Sequence, residues 1–272
     1  MRGRNILIIG IGTLLVLFFY YGTFTNENQT FLKGELFISN ITGYVAGYPN
    51  ETVNLNIYWI KAGDSDFSAT LGVRNLPSCL ESGGVSLIRD TGYGDSRIKE
   101  AAISVRLILK EPGRCVMKNA YLEIQQENYT ERVPLGRIEF DILEPARNNS
   151  LRITSYVGGS IGPEPAVPTL MYTILNPFNK SVEILNVTFN IPGLKVSNFE
   201  SMEILPEKTI NLTIAITNTT KLGNLYIIRP LIVYRVGTET QVMPAETYLY
   251  ATVPDENKLM NMLGNKKNVR GS

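Results

Sequence analysis

The chain has 272 residues, with 26 Lys and Arg against 25 Asp and Glu, so its formal net charge is +1. This balance argues against a dedicated nucleic-acid binder, which would carry a basic excess, and a hydrophobic fraction of 44% excludes wholesale disorder. Histidine is absent, which removes the commonest general base and the commonest metal ligand. We therefore expect no catalytic residue, no metal site and no cofactor.

The N-terminus carries a segment long enough to cross a membrane. Residues 5–25 form a run of 21 residues without a charged side chain, and Ile6–Tyr21 is almost entirely apolar. As a helix this run would span about 31 Å, close to a hydrocarbon core of about 30 Å. Arg2 and Arg4 precede it, so the positive-inside rule predicts a cytoplasmic N-terminus and an extracellular bulk. The sequence predicts a single-pass signal anchor in the cell membrane.

Two alternatives for this segment stay open. A cleaved signal peptide would export the same residues, although an apolar run of 16 residues is long for one and the best cleavage site, Thr23-Phe-Thr25, is poor. Met1-Arg-Gly3 directly before an apolar segment resembles the leader of class III, prepilin-like proteins, but Ile8 stands where pilins often carry Glu. That alternative would make the chain a subunit of a surface appendage or secretion assembly.

The first half of the exported part consists of short β-branched and aromatic runs separated by turn signals, which is typical of strands. The predicted strands are Phe31–Ser39, Thr52–Ile60, Phe67–Arg74, Ala101–Lys110, Tyr121–Gln126 and Val133–Leu143. In the clearest of them, Val53, Leu55, Ile57 and Trp59 alternate with polar residues and point to one side. Turns are predicted at positions 48–50, 62–64, 82–84 and 111–113. Residues 31–145 are therefore interpreted as a first β-sandwich.

The two cysteines of the chain, Cys79 and Cys115, both fall in the part predicted to be extracellular. An even pair in an oxidising compartment usually forms a bridge. Two free buried thiols or a redox pair are the alternatives, and the spacing does not match the Cys-x-x-Cys pattern of redox pairs. We predict a disulfide between Cys79 and Cys115.

The stretch Glu144–Ser150 breaks the strand pattern and indicates a linker. After it, the predicted strands are Leu151–Val157, Val167–Leu175, Val182–Ile191, Thr209–Thr217, Leu225–Val236 and Thr247–Val253. Residues 150–253 thus have the size of a second sandwich. The predicted fold class is all-β: two tandem Ig-like antiparallel β-sandwiches preceded by one N-terminal transmembrane helix, with residues 1–30 as cytoplasmic stub, anchor and juxtamembrane segment.

Several runs in the second half carry a family resemblance. Ile174–Ile184, Val187–Gly193 and Ile204–Ile216 combine an Asn-Pro hairpin with a later Leu-Pro-Glu strand entry. Over roughly residues 165–253 the chain resembles archaeal-type, prokaryotic cell-surface Ig-like modules akin to CARDB and fibronectin-III-like domains, and Gly47–Leu55 is similar to the same strand entry. Trp59 precedes Cys79 instead of lying between the cysteines, which departs from the antibody pattern. The resemblance implies adhesion, spacing or envelope assembly.

Two short motifs could carry nucleophilic chemistry. Gly158-Gly-Ser160-Ile-Gly162 matches the G-x-S-x-G elbow, which requires a strand–elbow–helix context and a histidine. We interpret it as a flexible turn. Ser96-Arg-Ile-Lys99 matches S-x-x-K, but the accompanying S-D-N and K-T-G elements are missing from the sequence. We interpret this second motif as an exposed hairpin or short helical turn.

Carboxylates at Asp64 and Asp66, and at Glu139 and Asp141, could bind calcium, but the sequence contains no D-x-[DN]-x-[DN]-G loop. Solvated turn acids are the simpler interpretation. A surface glycan-binding protein or a carboxylate-dependent glycan enzyme remains the alternative from another functional class.

The chain contains nine Asn-x-Ser/Thr sequons, in which x is never Pro, more than its composition alone would give. Asn186 and Asn211 each lie on the polar side of an alternating strand. We predict glycosylation of several of these sites, the alternative being that Asn and Thr simply suit exposed strands and turns. The sequons begin at Asn28, Asn40, Asn50, Asn128, Asn148, Asn179, Asn186, Asn211 and Asn218.

The C-terminal residues 254–272 change in composition and are predicted to form a flexible tail. Leu259, Met260, Met262 and Leu263 could line one or two helical turns, and a docking segment for a partner or an anionic envelope polymer is the alternative. Taken together, the sequence predicts a membrane-anchored surface glycoprotein with a structural or protein-interaction role and a protein or envelope-polymer partner.

Overall fold

The computed structural model describes residues 29–32, 34–62, 67–90, 98–127, 129–145, 150–220 and 223–264. Within these ranges the chain forms β-strands and one short helix, so the predicted all-β class is confirmed. The predicted membrane segment, residues 5–25, lies outside the described residues. In the described part of the chain, no helix is both long enough and apolar enough to cross a membrane.

The strands follow the chain in two groups. Before the predicted linker they are β1 (Gln29–Leu32), β2 (Glu35–Ile38), β3 (Ile41–Gly47), β4 (Thr52–Ala62), β5 (Thr70–Arg74), β6 (Leu80–Asp90), β7 (Ile98–Leu109), β8 (Gly113–Met117), β9 (Tyr121–Gln126), β10 (Tyr129–Pro134) and β11 (Gly136–Ile142). After it they are β12 (Arg152–Tyr156), β13 (Gly159–Gly162), β14 (Thr169–Leu175), β15 (Val182–Thr188), β16 (Leu194–Val196), β17 (Met202–Ile204), β18 (Thr209–Asn218), β19 (Leu225–Arg229), β20 (Leu231–Val236), β21 (Glu239–Pro244) and β22 (Tyr248–Thr252). Helix α1 (Glu256–Gly264) ends the described chain.

These strands form sheets of five, three, six, four and four strands. The first half supplies a five-stranded sheet in the order β1-β2-β4-β7-β6 and a three-stranded sheet β10-β9-β5. The second half supplies two four-stranded sheets, β12-β14-β18-β16 and β17-β15-β20-β21. The remaining six strands form the central sheet, in the order β13-β22-β19-β3-β11-β8.

The central sheet contains strands from both halves of the chain. One of its two middle strands, β3, pairs in parallel with β11 on one side and with β19 on the other, and β13 pairs in parallel with β22. This differs from the purely antiparallel pairing that the sequence predicts. The reason is that these neighbours are not consecutive in the chain, so no hairpin turn sets their relative direction.

Alternate side chains of the central sheet pack into two hydrophobic cores. Val45 and Ile227 face the first core, which also takes side chains from the five-stranded and three-stranded sheets. Tyr44 and Ile228 face the second core, shared with the two four-stranded sheets. Because both faces are covered, Leu225–Ile228 is apolar and buried at every position, the pattern expected of a doubly covered strand. The central sheet is therefore a layer common to both cores.

The strongest predicted strands form as the alternation indicates. Thr52–Ala62 pairs antiparallel with β7 over its whole length, and Leu55, Ile57 and Trp59 are fully buried in the first core. The strand β9 has the predicted bounds. The predicted run Leu225–Val236 divides into β19 and β20 at Pro230, which lacks the amide hydrogen that would continue the ladder.

One predicted turn is wrong. Strand β6 runs straight through positions 82–84, and its register against β7 shifts between Ser82 and Gly84. Gly84 has a φ of 110°, a backbone conformation that favours glycine. The two glycines therefore produce a β-bulge within a long strand, where the sequence pattern suggested a chain reversal.

The prediction of a flexible tail is wrong for the first part of residues 254–272, because Glu256–Gly264 is helical. Asp255 caps the helix, its Oδ1 accepting a hydrogen bond from the Lys258 amide at 2.9 Å. Leu259 is fully buried and Leu263 nearly so, both in the first core. Their spacing of four residues places them on one helix face, and burial of that face stabilises a helix too short to form alone.

The junction between β3 and β19 depends on a glycine. A Cβ atom added at Gly43 would lie 2.2 Å from Cγ2 of Ile227 and 2.6 Å from its carbonyl oxygen. We expect Gly43→Val to lower the free energy of unfolding by about 3 kcal/mol, since overpacking forces these backbones apart. Gly72→Val, at a strand position with no atom within 4 Å of the added Cβ, is the matched control. If urea unfolding gave the two variants equal losses of unfolding free energy, the close packing of β3 against β19 at Gly43 would be contradicted.

Candidate functional site: an exposed apolar sheet edge

The structure places the G-x-S-x-G motif in a strand, so the interpretation of this segment as a flexible turn is wrong. Gly159–Gly162 is β13, at one edge of the central sheet. A Cβ at Gly159 would lie 2.2 Å from the carbonyl oxygen of Leu249, so the glycine permits the close approach to β22. The Ser160 hydroxyl is hydrogen-bonded to the Tyr248 hydroxyl at 2.8 Å. The serine sits on an edge strand and not at the strand-to-helix elbow that the hydrolase motif requires.

The other chemical motifs lie partly outside the described residues. These outside positions are Ser96, Asp64 and Asp66, whereas Lys99 lies in β7. No group of three or more potential metal-binding side chains occurs in the part of the chain that the structure describes.

Glu139 and Asp141, the remaining candidate calcium ligands, have protein partners. Asp141 is buried and accepts hydrogen bonds from the Tyr44 hydroxyl at 3.1 Å and from Nε of Arg114 at 3.2 Å. Burial and the neighbouring Asp141 carboxylate raise the pKa of Tyr44, so its hydroxyl stays protonated and can donate. Glu139 accepts a hydrogen bond from the Asn190 amide at 2.6 Å. These contacts connect strands of the central sheet with each other and with the second half of the chain.

The predicted disulfide between Cys79 and Cys115 is confirmed. Cys79 directly precedes β6, an edge of the five-stranded sheet, and Cys115 lies in β8, an edge of the central sheet. Both half-buried side chains pack against the first core. The bridge therefore joins two of the sheets that enclose this core, the five-stranded sheet and the central sheet, at one of their edges.

Six of the nine sequons lie in the described residues. The asparagines of four sequons are exposed, and those of two are half-buried. Asn186 and Asn211 point to solvent from β15 and β18, where the alternation placed them. Asn28, Asn128 and Asn148 lie outside the described residues. The exposed asparagines are Asn50, Asn179, Asn186 and Asn211, and the half-buried ones are Asn40 and Asn218.

Exposed apolar side chains are concentrated along the chain at the start of the second half. Eight large hydrophobic residues of the described chain are notably exposed, and five of them fall within positions 156–171. Ile161 of β13 is 65% exposed, and Val157 is adjacent to Met171, whose carbonyl oxygen accepts its amide hydrogen bond at 3.1 Å. The name apolar patch denotes these five residues, which are grouped by their position in the chain: Tyr156, Val157, Ile161, Val167 and Met171. A cluster of exposed apolar residues is typical of an interaction surface.

A groove of about 450 Å³ includes Ile161, one residue of the apolar patch, in its lining. Ser160 and Ile161 line one side, and Tyr226, Tyr250 and Tyr58 contribute aromatic walls. The rings of Tyr226 and Tyr250 lie 6.4 Å apart, and burial raises the pKa of Tyr226. Among the described residues, β13 has a strand partner on one side only. The groove therefore borders an edge of the central sheet at which β13 has no second strand partner among the described residues.

The residues around Glu35 and Lys61 were missed as a site by motif reasoning. Lys61 is only 3% exposed and forms an ion pair with Glu35. The sequence does contain a signal for this site, because Lys61 continues the inward alternation of Ile57 and Trp59 along β4. A lysine at an inward strand position requires a buried anionic partner, and only the fold shows that Glu35 supplies it.

Comparison with known proteins gives no family. No protein-family model and no curated protein sequence matches this chain. Among solved structures, a protein of unknown function from Porphyromonas gingivalis W83 is 11% identical over 80% of this chain and 99% of that one, with a TM-score of 0.27. The titin domains Z1Z2 in complex with telethonin are 8% identical over 83% of this chain and 100% of that one, with a TM-score of 0.22. Domains 4–9 of the surface layer protein SbsC are 10% identical over 83% of this chain and 32% of that one, with a TM-score of 0.22. Global similarity at these TM-scores does not identify a shared fold.

Proposed function

We propose that this protein is a membrane-anchored, extracellular, non-catalytic structural protein that binds an extended segment of another envelope protein along the open edge of β13. The observation that carries the proposal is the apolar patch beside that edge. An unpaired edge strand offers backbone donors and acceptors, and alternate side chains of an added strand would reach the groove. Apolar residues of the bound segment would cover Ile161 and the tyrosine walls.

The location outside the cell is supported by three features. The Cys79–Cys115 bridge suits an oxidising compartment, and four sequon asparagines are exposed to solvent, as a glycan requires. The uncharged run at residues 5–25 has the length of a membrane helix. Anchoring through this run and glycosylation of the exposed sequons are part of the proposal.

The Ig-like character of the second half is likewise proposed. Its two four-stranded sheets are antiparallel throughout, and they cover the second core with alternating inward residues such as Tyr172, Leu212 and Tyr234. This arrangement has the layered form of a β-sandwich. The region coincides with residues 165–253, where the sequence resembles CARDB-like surface modules.

The proposal is tested by photo-cross-linking in intact cells. A photoreactive residue replacing Val157 should give adducts with an extended segment of an envelope protein, because Val157 lies in the apolar patch. Adding Ile161→Lys should reduce the adduct about tenfold, since a lysine places a charge at the contact and blocks edge pairing. Leu205→Lys, at a residue that is 56% exposed outside the patch, should leave it unchanged. Equal adduct yields in the two lysine variants, or no adduct from position 157, would contradict the proposal.

A further inference from the structure

The carboxylate of Glu35 meets a buried lysine inside the first half of the chain. Glu35 in β2 and Lys61 in β4 are directly opposite each other in the antiparallel ladder. Nζ of Lys61 lies 3.1 Å from Oε1 of Glu35, with the lysine 3% and the glutamate 12% exposed. Two charges are thus held in contact away from solvent, where each loses most of its hydration.

The second oxygen of the same carboxylate is surrounded by hydrogen-bond donors. Oε2 of Glu35 accepts from Nε1 of Trp59 at 3.0 Å, from the Tyr129 hydroxyl at 3.2 Å and from Nε2 of Gln126 at 3.4 Å. These donors come from β4 and from the β9–β10 hairpin, so they are fixed by two sheets. Three donors aimed at one carboxyl oxygen have the arrangement of an oxyanion hole.

The surroundings of this pair are aromatic. Nζ of Lys61 lies 4.3 Å from the ring centre of Trp59 and 5.3 Å from that of Phe67. Glu131 lies two residues after Tyr129 on β10, and therefore on the same strand face. Burial and the charge of Glu35 raise the pKa of Glu131, and they raise the pKa of Tyr129 to about 12. The carboxyl group of Glu131 therefore holds its proton more readily than usual, because burial and the negative charge of Glu35 both act on it.

We propose that Lys61 and Glu35 condense spontaneously to an amide bond between Nζ and Cδ, a covalent cross-link within the chain. One proton passes from the Lys61 ammonium to the Glu35 carboxylate, giving a neutral amine and a neutral acid. The amine attacks Cδ, so that an N–C bond forms while the C–Oε1 bond breaks. Oε1 takes the second proton from nitrogen and leaves as water. The reaction needs no oxidant, reductant or cofactor.

The hydrogen-bond donors and the fixed geometry around Glu35 and Lys61 assist this condensation. The donors from Trp59, Tyr129 and Gln126 stabilise the negative charge that develops on Oε2 in the tetrahedral intermediate. The fixed contact between Nζ and the carboxyl group supplies the orientation that free reactants lack. The product replaces two buried charges by a neutral amide, which removes their desolvation penalty.

The cross-link would attach strand β2, near the start of the described residues, covalently to strand β4. Strand β2 directly follows β1, and the predicted membrane segment precedes both. An amide bond from β2 to β4 would prevent the first hairpin from peeling away from the five-stranded sheet. The amide bond would form independently of any partner bound at the edge of β13.

Peptide mass spectrometry of the mature full-length protein tests the proposal. Trypsin normally releases the peptides 34–61 and 62–74, because Lys61 and Arg74 are the only cleavage sites after Lys33 in this stretch. With the amide in place, Lys61 is not cleaved. After enzymatic removal of any glycan at Asn50, a single peptide 34–74 should appear, lighter by one water molecule than the linear peptide 34–74 treated in the same way. Fragment ions between Glu35 and Lys61 should be missing, because the bond closes a loop.

The chain offers an internal control in the same digest. Lys110 contacts Glu81 at 2.7 Å, but both side chains are about half exposed, so this pair should remain uncondensed and trypsin should cleave after Lys110. Lys61→Arg and Glu35→Ala should each abolish the mass loss. Complete cleavage after Lys61, with the unmodified mass in the wild-type protein, would overturn the proposal whether or not the variants fold.

Discussion

Replacing Trp59 by alanine is expected to lower the free energy of unfolding by about 4 kcal/mol. Trp59 is fully buried at the centre of the first core. Its ring stacks on Phe37 with centroids 5.4 Å apart and meets the edge of Phe67 at 5.0 Å. The variant loses the buried area and leaves a cavity, and Glu35 also loses the hydrogen bond from the indole.

Urea unfolding of the full-length protein measures this effect. Trp59→Phe keeps an aromatic ring but removes the indole donor, so we expect a loss of about half that of the alanine variant. Tyr156→Ala removes an aromatic side chain that is 48% exposed and should cost less than about 0.5 kcal/mol. If Trp59→Ala and Tyr156→Ala gave similar midpoints, the central position of Trp59 in the core would be refuted.

Removal of the disulfide is expected to lower the free energy of unfolding by nearly as much as Trp59→Ala does. The cysteines are 36 positions apart, and the chain-entropy model assigns about 3.8 kcal/mol to closing a loop of that length. The bridge also holds the ends of two edge regions, before β6 and in β8, against the first core. Without the bridge, the unfolded chain gains conformational entropy. In the folded protein, the two edge regions lose the covalent link between them.

Cys79→Ser combined with Cys115→Ser provides the measurement, with the unfolding midpoint compared to wild type under oxidising conditions. A reductant should lower the midpoint of the wild-type protein towards that of the double variant and leave the variant unaffected. A loss below about 1 kcal/mol would show that the bridge closes a loop already ordered in the unfolded state.

Much of the secondary structure is predictable from local pattern. Strands with strict alternation, such as β4 and β7, appear where the sequence predicts them, because alternation encodes which side of a strand is buried. The disulfide follows from the even cysteine count. Strand β3 was missed because its run Ile41–Gly47 is buried at almost every position and contains two glycines, so it shows no alternation.

The candidate sites depended on long-range pairing. Ser160 stands out in the sequence as part of a motif, yet its place at a sheet edge follows from the pairing of β13 with β22, which lies far along the chain. Lys61 could be expected to point inward, but two of the three donors that converge on Glu35 come from a separate hairpin. Neither arrangement leaves a spacing in the sequence that a local pattern could detect.

The sequence alone determined the all-β class, the positions of the alternating strands, the cysteine pair and the expectation of export, since each depends on residue type and near-neighbour order. Only the tertiary structure decided that β3 joins β19 in a sheet shared by two cores, and that Leu259 completes the first of them. The physical reason is that the backbone hydrogen bonds of a sheet are the same for any strand. Partner choice is therefore set by the packing of both faces, for which Gly43 at the β3–β19 contact is the local requirement.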